Sequence, residues 1–151
     1  MRERITSPCV GLCSTTLGDR VCRGCQRIDS EIRDWPALSG EQRHRCMVEL
    51  DRLRAEVAGR YLVVVDPDSL EAQLRRHRIR YRDAQPPLSR AVELLRVGRG
   101  RIRDLSRYGL AGRDEGDVTT LHGRITADLL AAAERRQAVL PAPLDLPTLD
   151  P

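Results

Sequence analysis

Four cysteines near the start of the chain, Cys9, Cys13, Cys22 and Cys25, constrain what this sequence can fold into more than any other feature. They form a Cys-x-x-x-Cys pair and a Cys-x-x-Cys pair with Ser14 to Val21 between them, so all four thiols fall within one short loop. Donors two or three residues apart can converge on a tetrahedral ion when small residues let the backbone fold tightly around the sulfurs. Gly11 and Gly24 lie inside the two pairs, and Gly18-Asp19 marks the turn that brings the pairs together. Arg20, Arg23 and Arg27 stand beside the cysteines, where thiolates around a metal leave negative charge for them to offset.

What those thiols do depends on their surroundings. The first residues lead to Pro8-Cys9 without the apolar core of a secretory signal. The longest apolar runs, Leu62 to Val65 and Leu129 to Ala133, fall far short of the roughly 20 residues that cross a bilayer. The expected setting is therefore cytoplasmic, with no membrane partner. Thiols stay reduced there, and clustered cysteines read as metal ligands or redox groups before they read as disulfides. The metal ligands are expected to be Cys9, Cys13, Cys22 and Cys25. Zinc favours all-cysteine structural sites, usually with Cys-x-x-Cys at both ends. Iron–sulfur clusters also take four cysteines and tolerate varied spacing, although the ferredoxin run is absent, so the spacing admits both groups. No histidine or carboxylate is placed for an open hydrolytic zinc site, so no catalytic residue is expected and the chain does not read as an enzyme. A redox dithiol at Cys22-Arg23-Gly24-Cys25 has thioredoxin-like spacing but lacks a preceding strand.

These residues also carry a resemblance. Ser7-Pro8-Cys9, Gly11-Leu12-Cys13, Cys22-Arg23-Gly24-Cys25, Arg27, Glu31-Ile32 and Trp35 resemble, in order, the bacterial domain-of-unknown-function family 1289, short four-cysteine proteins described as predicted iron–sulfur proteins. The likeness covers about the first third of the chain. It departs from the family at Gln26, where an aromatic is common, and at Ile28, where a threonine is common. What the resemblance implies is a metal or cluster held by Cys9, Cys13, Cys22 and Cys25; it implies no substrate and no reaction.

With no Phe, one Trp and a hydrophobic fraction of 40%, the core must be built from Leu, Val, Ile and Ala. Asp29 is expected to cap a short helix carrying Ile28, Ile32 and Trp35, with Pro36 as its stop. Trp35, the largest apolar surface available, is expected to be buried over the cysteine loop. Ser39-Gly40-Glu41-Gln42 is a capping box opening a second helix, with Cys46, Leu50, Leu53 and Val57 inward and Gly59 closing it. Cys46 on that stripe reads as a small buried hydrophobe, and His44 as exposed. Tyr61 to Val65 reads as a strand, and Asp66-Pro67 opens a helix with Leu70 and Leu74 inward. Arg78-Ile79-Arg80-Tyr81-Arg82 alternates as a second strand, parallel or antiparallel to the first. Leu88, Val92 and Leu95 predict a helix broken at Gly98 and Gly100, and Ile102, Leu105 and Tyr108 predict another. Asp117 caps the longest helix, with Val118, Leu121, Ile125, Leu129 and Ala132 inward and Pro141 as its stop. His122 beside that stripe reads as a boundary residue.

The expected fold class is mainly α with a small β component. A four-cysteine metal-binding domain with two helices spans 1–58, an Arg-rich α/β or helical module spans 60–140, and a Pro/Leu-rich extended tail spans 141–151.

Every basic residue is arginine, and Arg75 to Arg107 holds eleven of them against Asp83, Glu93 and Asp104. Arginine forks suit phosphates, and Tyr81 and Tyr108 offer stacking surfaces. Nucleic acid is thus a candidate partner through Arg75, Arg76, Arg78, Arg80 and Arg82. Against it, a chain that uses arginine for every positive charge shows Arg-rich faces for solubility alone. Two readings result, ahead of a third in which an enzyme uses Cys22 and Cys25 as a redox pair. One is a cytoplasmic metal-binding protein holding an iron–sulfur cluster or Zn in a structural or electron-transfer role, with a protein partner docked by the remainder. The other is a zinc-stabilised module that binds nucleic acid through its Arg-rich segment.

Overall fold

The computed structural model describes residues 7–11 and 13–139. Pro141 as a helix stop, the extended tail over 141–151, and Leu12 of the resemblance lie outside the described residues. The fold is mainly α with a small β component, as expected. Helix α1 spans Asp29–Asp34, α2 Gly40–Ala58, α3 Pro67–Arg76, α4 Pro87–Gly98 and α5 Val118–Val139. Strands β1, Leu62–Val64, and β2, Leu110–Gly112, form a two-stranded antiparallel sheet. Among the described residues no helix is long and apolar enough to cross a membrane.

The chain divides into two compact units, residues 1–45 with 130–151 and residues 46–129, the divisions falling inside α2 and α5. In the first unit the cap of α1 falls one residue before the expected Asp29. Ile28 occupies the cap position with extended backbone, and Glu31 Oε1 accepts the Ile28 N–H at 3.0 Å. Asp29 is instead the first helical residue, where a carboxylate still favours the positive helix end. The helix tightens into a 3₁₀ turn, Trp35–Ala37, at Pro36. The capping box that opens α2 forms as read: Ser39 Oγ accepts from Gln42 N at 3.2 Å, and Gln42 Oε1 accepts from Ser39 N at 2.8 Å.

The second unit is packed with aliphatic side chains: Leu50, Leu62, Leu70, Leu74, Leu94, Leu95, Leu110 and Ile125 are all fully buried. Cys46 is buried and His44 is exposed. Strand β1 pairs with β2, not with Arg78–Arg82, so the expected strand–helix–strand unit is corrected to a pairing across more of the chain, Leu62 with Gly112 and Val64 with Leu110. The reason lies at the end of α3. Arg78 N donates to Arg75 O at 3.2 Å and Ile79 N to Leu74 O at 2.9 Å, while Arg78 sits at φ +55°. This is a Schellman closure, with the buried side chains of Leu74 and Ile79 as its apolar pair. The left-handed residue turns the chain, and the arginine alternation never becomes extended strand.

Past β1, Val65 N and Asp66 N both donate to Gly109 O, at 2.8 and 3.0 Å. Gly109 has φ +71°, and a Cβ there would stand 2.1 Å from Asp66 O, so only glycine permits this approach. Asp66 Oδ1 caps α3 through Asp68 N and Ser69 N, and Asp117 Oδ1 accepts from Thr120 N at 2.7 Å at the start of α5. The helix expected around Ile102, Leu105 and Tyr108 shrinks to one 3₁₀ turn, Leu105–Tyr108. Its Asp104 cap and left-handed Gly109 leave room for no more.

Candidate metal centre

The cysteine loop is built from two turns. Ser14–Leu17 forms a 3₁₀ turn after Cys13, and Gly18, at φ +98°, ends it with its N–H on Thr15 O. A turn thus falls at Gly18, where the sequence placed one. The second turn runs from Cys22 to Arg27: Cys22 N donates to Arg27 O at 2.9 Å and Gln26 N to Cys22 O at 2.8 Å. Val21 and Ile28 then pair as an antiparallel bridge, and Asp29 N donates to Arg20 O. Gln26 stands at φ +63°, its Nε2 donating to the carbonyls of Arg23 and Gly24 at 3.1 and 3.3 Å. Gln26 therefore closes the cysteine turn itself.

This turn brings Cys22 and Cys25 together. Both are buried, and their side chains are within hydrogen-bonding reach of each other. Burial pushes the Cys22 thiol up, but the N–H groups of Cys25, Ser14 and Gly24 and the Cys25 side chain outweigh it, leaving Cys22 below its ordinary value. At Cys25 burial wins and holds the thiol above its ordinary value, although Arg27 opposes it. Arg27 Nε donates to Cys25 Sγ at 3.3 Å.

Cys13 is tied to that pair through its neighbour Ser14, and Cys9 through Ser7 and Arg27. Ser14 N reaches Cys22, so Cys13 lies next in sequence to a residue that touches a buried thiol. Ser14 Oγ also accepts from Arg23 N at 2.9 Å, and Cys13 Sγ lies 2.9 Å from Thr15 Oγ1. On the other side Arg27 Nη2 donates to Ser7 Oγ at 3.1 Å, and that oxygen accepts from Cys9 N at 3.2 Å. Cys9 is exposed, its Sγ accepting from Gly11 N at 3.4 Å. Among the described residues, no three Cys, His, Asp or Glu side chains converge as a metal ion requires. The donor chemistry nevertheless fits a thiolate-bound group: a buried pair supplied with N–H donors, and two further thiols on the segments hydrogen-bonded to it.

The surrounding cations take different roles. Arg27 is buried, with its guanidinium carbon 4.9 Å from the Trp35 ring centroid, so Trp35 covers the loop through an arginine that itself holds Cys25. Arg43 lies 5.6 Å from the same ring and donates to Trp35 O at 3.0 Å. Arg23 forms a surface pair with Asp19, and Arg20 is exposed. The spacing gave no sign that Arg27 would be buried; the signal was its place between Cys25 and the only Trp.

In the second unit, the arginines considered for nucleic acid separate. Arg82 Nη2 pairs with the buried Asp51 at 2.5 Å, and Arg75 donates to Glu71 at 3.1 Å and to Tyr81 Oη at 2.6 Å. Tyr81 also donates to Glu71 and has Arg90 4.7 Å above its ring, so its face is covered. Arg76, Arg78 and Arg80 are exposed. His122 is half-buried on α5.

One protein-family model, described as "Protein of unknown function (DUF1289)", matches residues 7–54, the first third of the chain. The stretch contains all five cysteines and Trp35. Neither the curated proteins nor the solved structures yield a match.

Proposed function

We propose that the protein binds an inorganic centre, an iron–sulfur cluster or a zinc ion, through Cys9, Cys13, Cys22 and Cys25, in the reducing interior of the cell. The observation that carries this reading is the buried Cys22–Cys25 pair held in one closed turn, with Arg27 Nε donating to Cys25 Sγ at 3.3 Å. A structural turn needs no such donor. A thiolate does, because each N–H···S contact favours the charged sulfur that binds metal.

Each residue then has a task. The Cys22–Arg27 turn presents two sulfurs on one side of a closed backbone loop. Arg27 offsets negative charge at Cys25 while Trp35 keeps water from its guanidinium. Gly11 and Gly18, both at positive φ, give the Cys9 and Cys13 segments the curvature to approach. A zinc ion would fix the fold of this unit, and a cluster would add one-electron transfer. Cys46, buried on the apolar stripe of α2, takes no part in this reading.

The test is purification without oxygen followed by metal and sulfide analysis and a visible spectrum. Iron with sulfide and a brown colour, or one colourless zinc per chain, supports the reading. Cys22→Ser is expected to abolish metal retention, whereas Cys46→Ser retains it. Folded protein with neither metal, or full retention by Cys22→Ser, overturns it.

A further inference from the structure

Of the arginines between Arg75 and Arg107, several are consumed by the fold. Arg75 holds Glu71 and Tyr81, Arg82 holds Asp51, and Arg96 holds Glu93. Arg90 donates to the carbonyls of Arg82, Asp83 and Gln85. Among the described residues no ion pair engages Arg76, Arg78 or Arg107, and all three are exposed.

Arg76 and Arg78 flank His77 in sequence and Arg107 precedes Tyr108, and the His77 and Tyr108 rings meet in space. Gln73, Arg76 and His77 stack along one flank of the α3 end, because residues three and four apart share a helix face. Gln73 Nε2 donates to Arg107 O at 3.4 Å, and the His77 ring lies 6.3 Å from the Tyr108 ring at 32°. A helix end and a 3₁₀ turn, far apart in sequence, thus build one surface. It has an exposed imidazole and a half-buried phenol ring, edged by guanidinium groups. The nearby Asp104 carboxylate, which feels Arg107, is occupied by Ser106 N and Oγ at 3.0 and 2.6 Å.

We propose that this surface binds single-stranded nucleic acid, with Arg76, Arg78 and Arg107 on phosphates and an unstacked base against the His77–Tyr108 pair. Planar forks suit phosphate oxygens, and aromatic faces are used by bases that a duplex would keep stacked. An acidic peptide would use the charges and leave the rings idle. The assignment does not depend on the cysteines; its surface lies wholly within residues 46–129.

The test is fluorescence anisotropy of the full chain with labelled oligo(U), oligo(dT) and a duplex, each of about 12 nucleotides, across a salt series. Binding of either single strand in preference to the duplex supports the assignment, and the tighter of the two names the natural class. Tyr108→Ala is expected to weaken binding about tenfold at every salt concentration with the slope unchanged, and Tyr108→Phe to retain it. Arg76→Gln and Arg107→Gln are each expected to flatten the log–log salt slope by about 0.7, whereas Arg52→Gln on α2 leaves it alone. Equal affinity for the duplex, displacement by polyglutamate at equal charge, or an unaltered Tyr108→Ala protein would overturn it.

Discussion

Arg136 grips Glu31 with both ends of its guanidinium: Nη1 to Oε1 and Nη2 to Oε2, each at 2.6 Å. Both side chains are largely shielded, at 13% and 15% exposure, and Glu31 Oε1 also takes the Ile28 N–H that opens α1. One carboxylate therefore ties the C-terminal part of α5 to the segment that follows the cysteine turn. Forked, shielded pairs of this kind are far stronger than surface ion pairs.

Breaking that pair leaves a charge with little water and without its forked partner. Arg136→Met is expected to destabilise the cysteine-bearing unit by about 2–3 kcal/mol, and Glu31→Gln by a similar amount. The double variant should cost less than the sum of the two, which urea unfolding of all four proteins would reveal. Additive losses would mean that the two residues act separately.

The left-handed arginine at the end of α3 yields a prediction of opposite sign. Arg78 occupies a position usually held by glycine, and a side chain there costs about 1 kcal/mol. Arg78→Gly is expected to raise stability by somewhat less than that, because glycine also gains freedom in the unfolded chain. Arg78→Ala, which keeps the strain, should leave the denaturation midpoint near that of the parent.

Arg78 also explains where sequence reading stopped. Features set by a few adjacent residues were legible: the Ser39–Gln42 box, the Asp66 and Asp117 caps, the Gly18 turn, and buried Trp35 and Cys46. Each rests on local hydrogen bonds or on one stripe of apolar side chains. The alternation of Arg78 to Arg82 looked like a strand because the mark of a Schellman closure, a glycine, is absent there. Strand β2 was invisible for another reason: Leu110-Ala111-Gly112 is short, lacks β-branched residues, and exists because Gly109 brings it to β1. The Glu31–Arg136 pair joins residues too distant in sequence for any spacing rule. For the cysteines, the pattern pointed to a turn at Cys22–Cys25, while the roles of Arg27 and Gln26 emerged only from the folded turn.

A buried polar cluster in the second unit gives a third prediction. Asp51, 6% exposed at its side chain, accepts from Arg82 Nη2 and, at 2.9 Å, from Ser89 Oγ, which in turn accepts from Gln85 Nε2 at 3.0 Å. Removing the cation alone strands a carboxylate in a site that water scarcely reaches. Arg82→Met is expected to cost about 3 kcal/mol, and adding Asp51→Asn should recover part of it. Thermal unfolding of the two proteins decides the point; a double variant less stable than Arg82→Met would mean that the carboxylate is stabilised by other donors.

His122 supplies the pH dependence. Burial lowers its pKa from the usual 6.5, and the positive charges of Arg99 and Arg96 lower it further. The unfolded chain therefore binds the proton more readily than the folded one. Stability contributed by neutral His122 is complete above the unfolded value and declines as pH falls through it, toward the lower folded value. The denaturation midpoint should drop between about pH 7.5 and 5.5, and His122→Gln should flatten that drop. Because His44 and His77 are exposed and remain in both proteins, the difference between the two profiles isolates His122. Added salt should shrink the difference by screening Arg96 and Arg99 while leaving the part due to burial. Superimposable profiles for parent and variant would show that the imidazole titrates alike in both states.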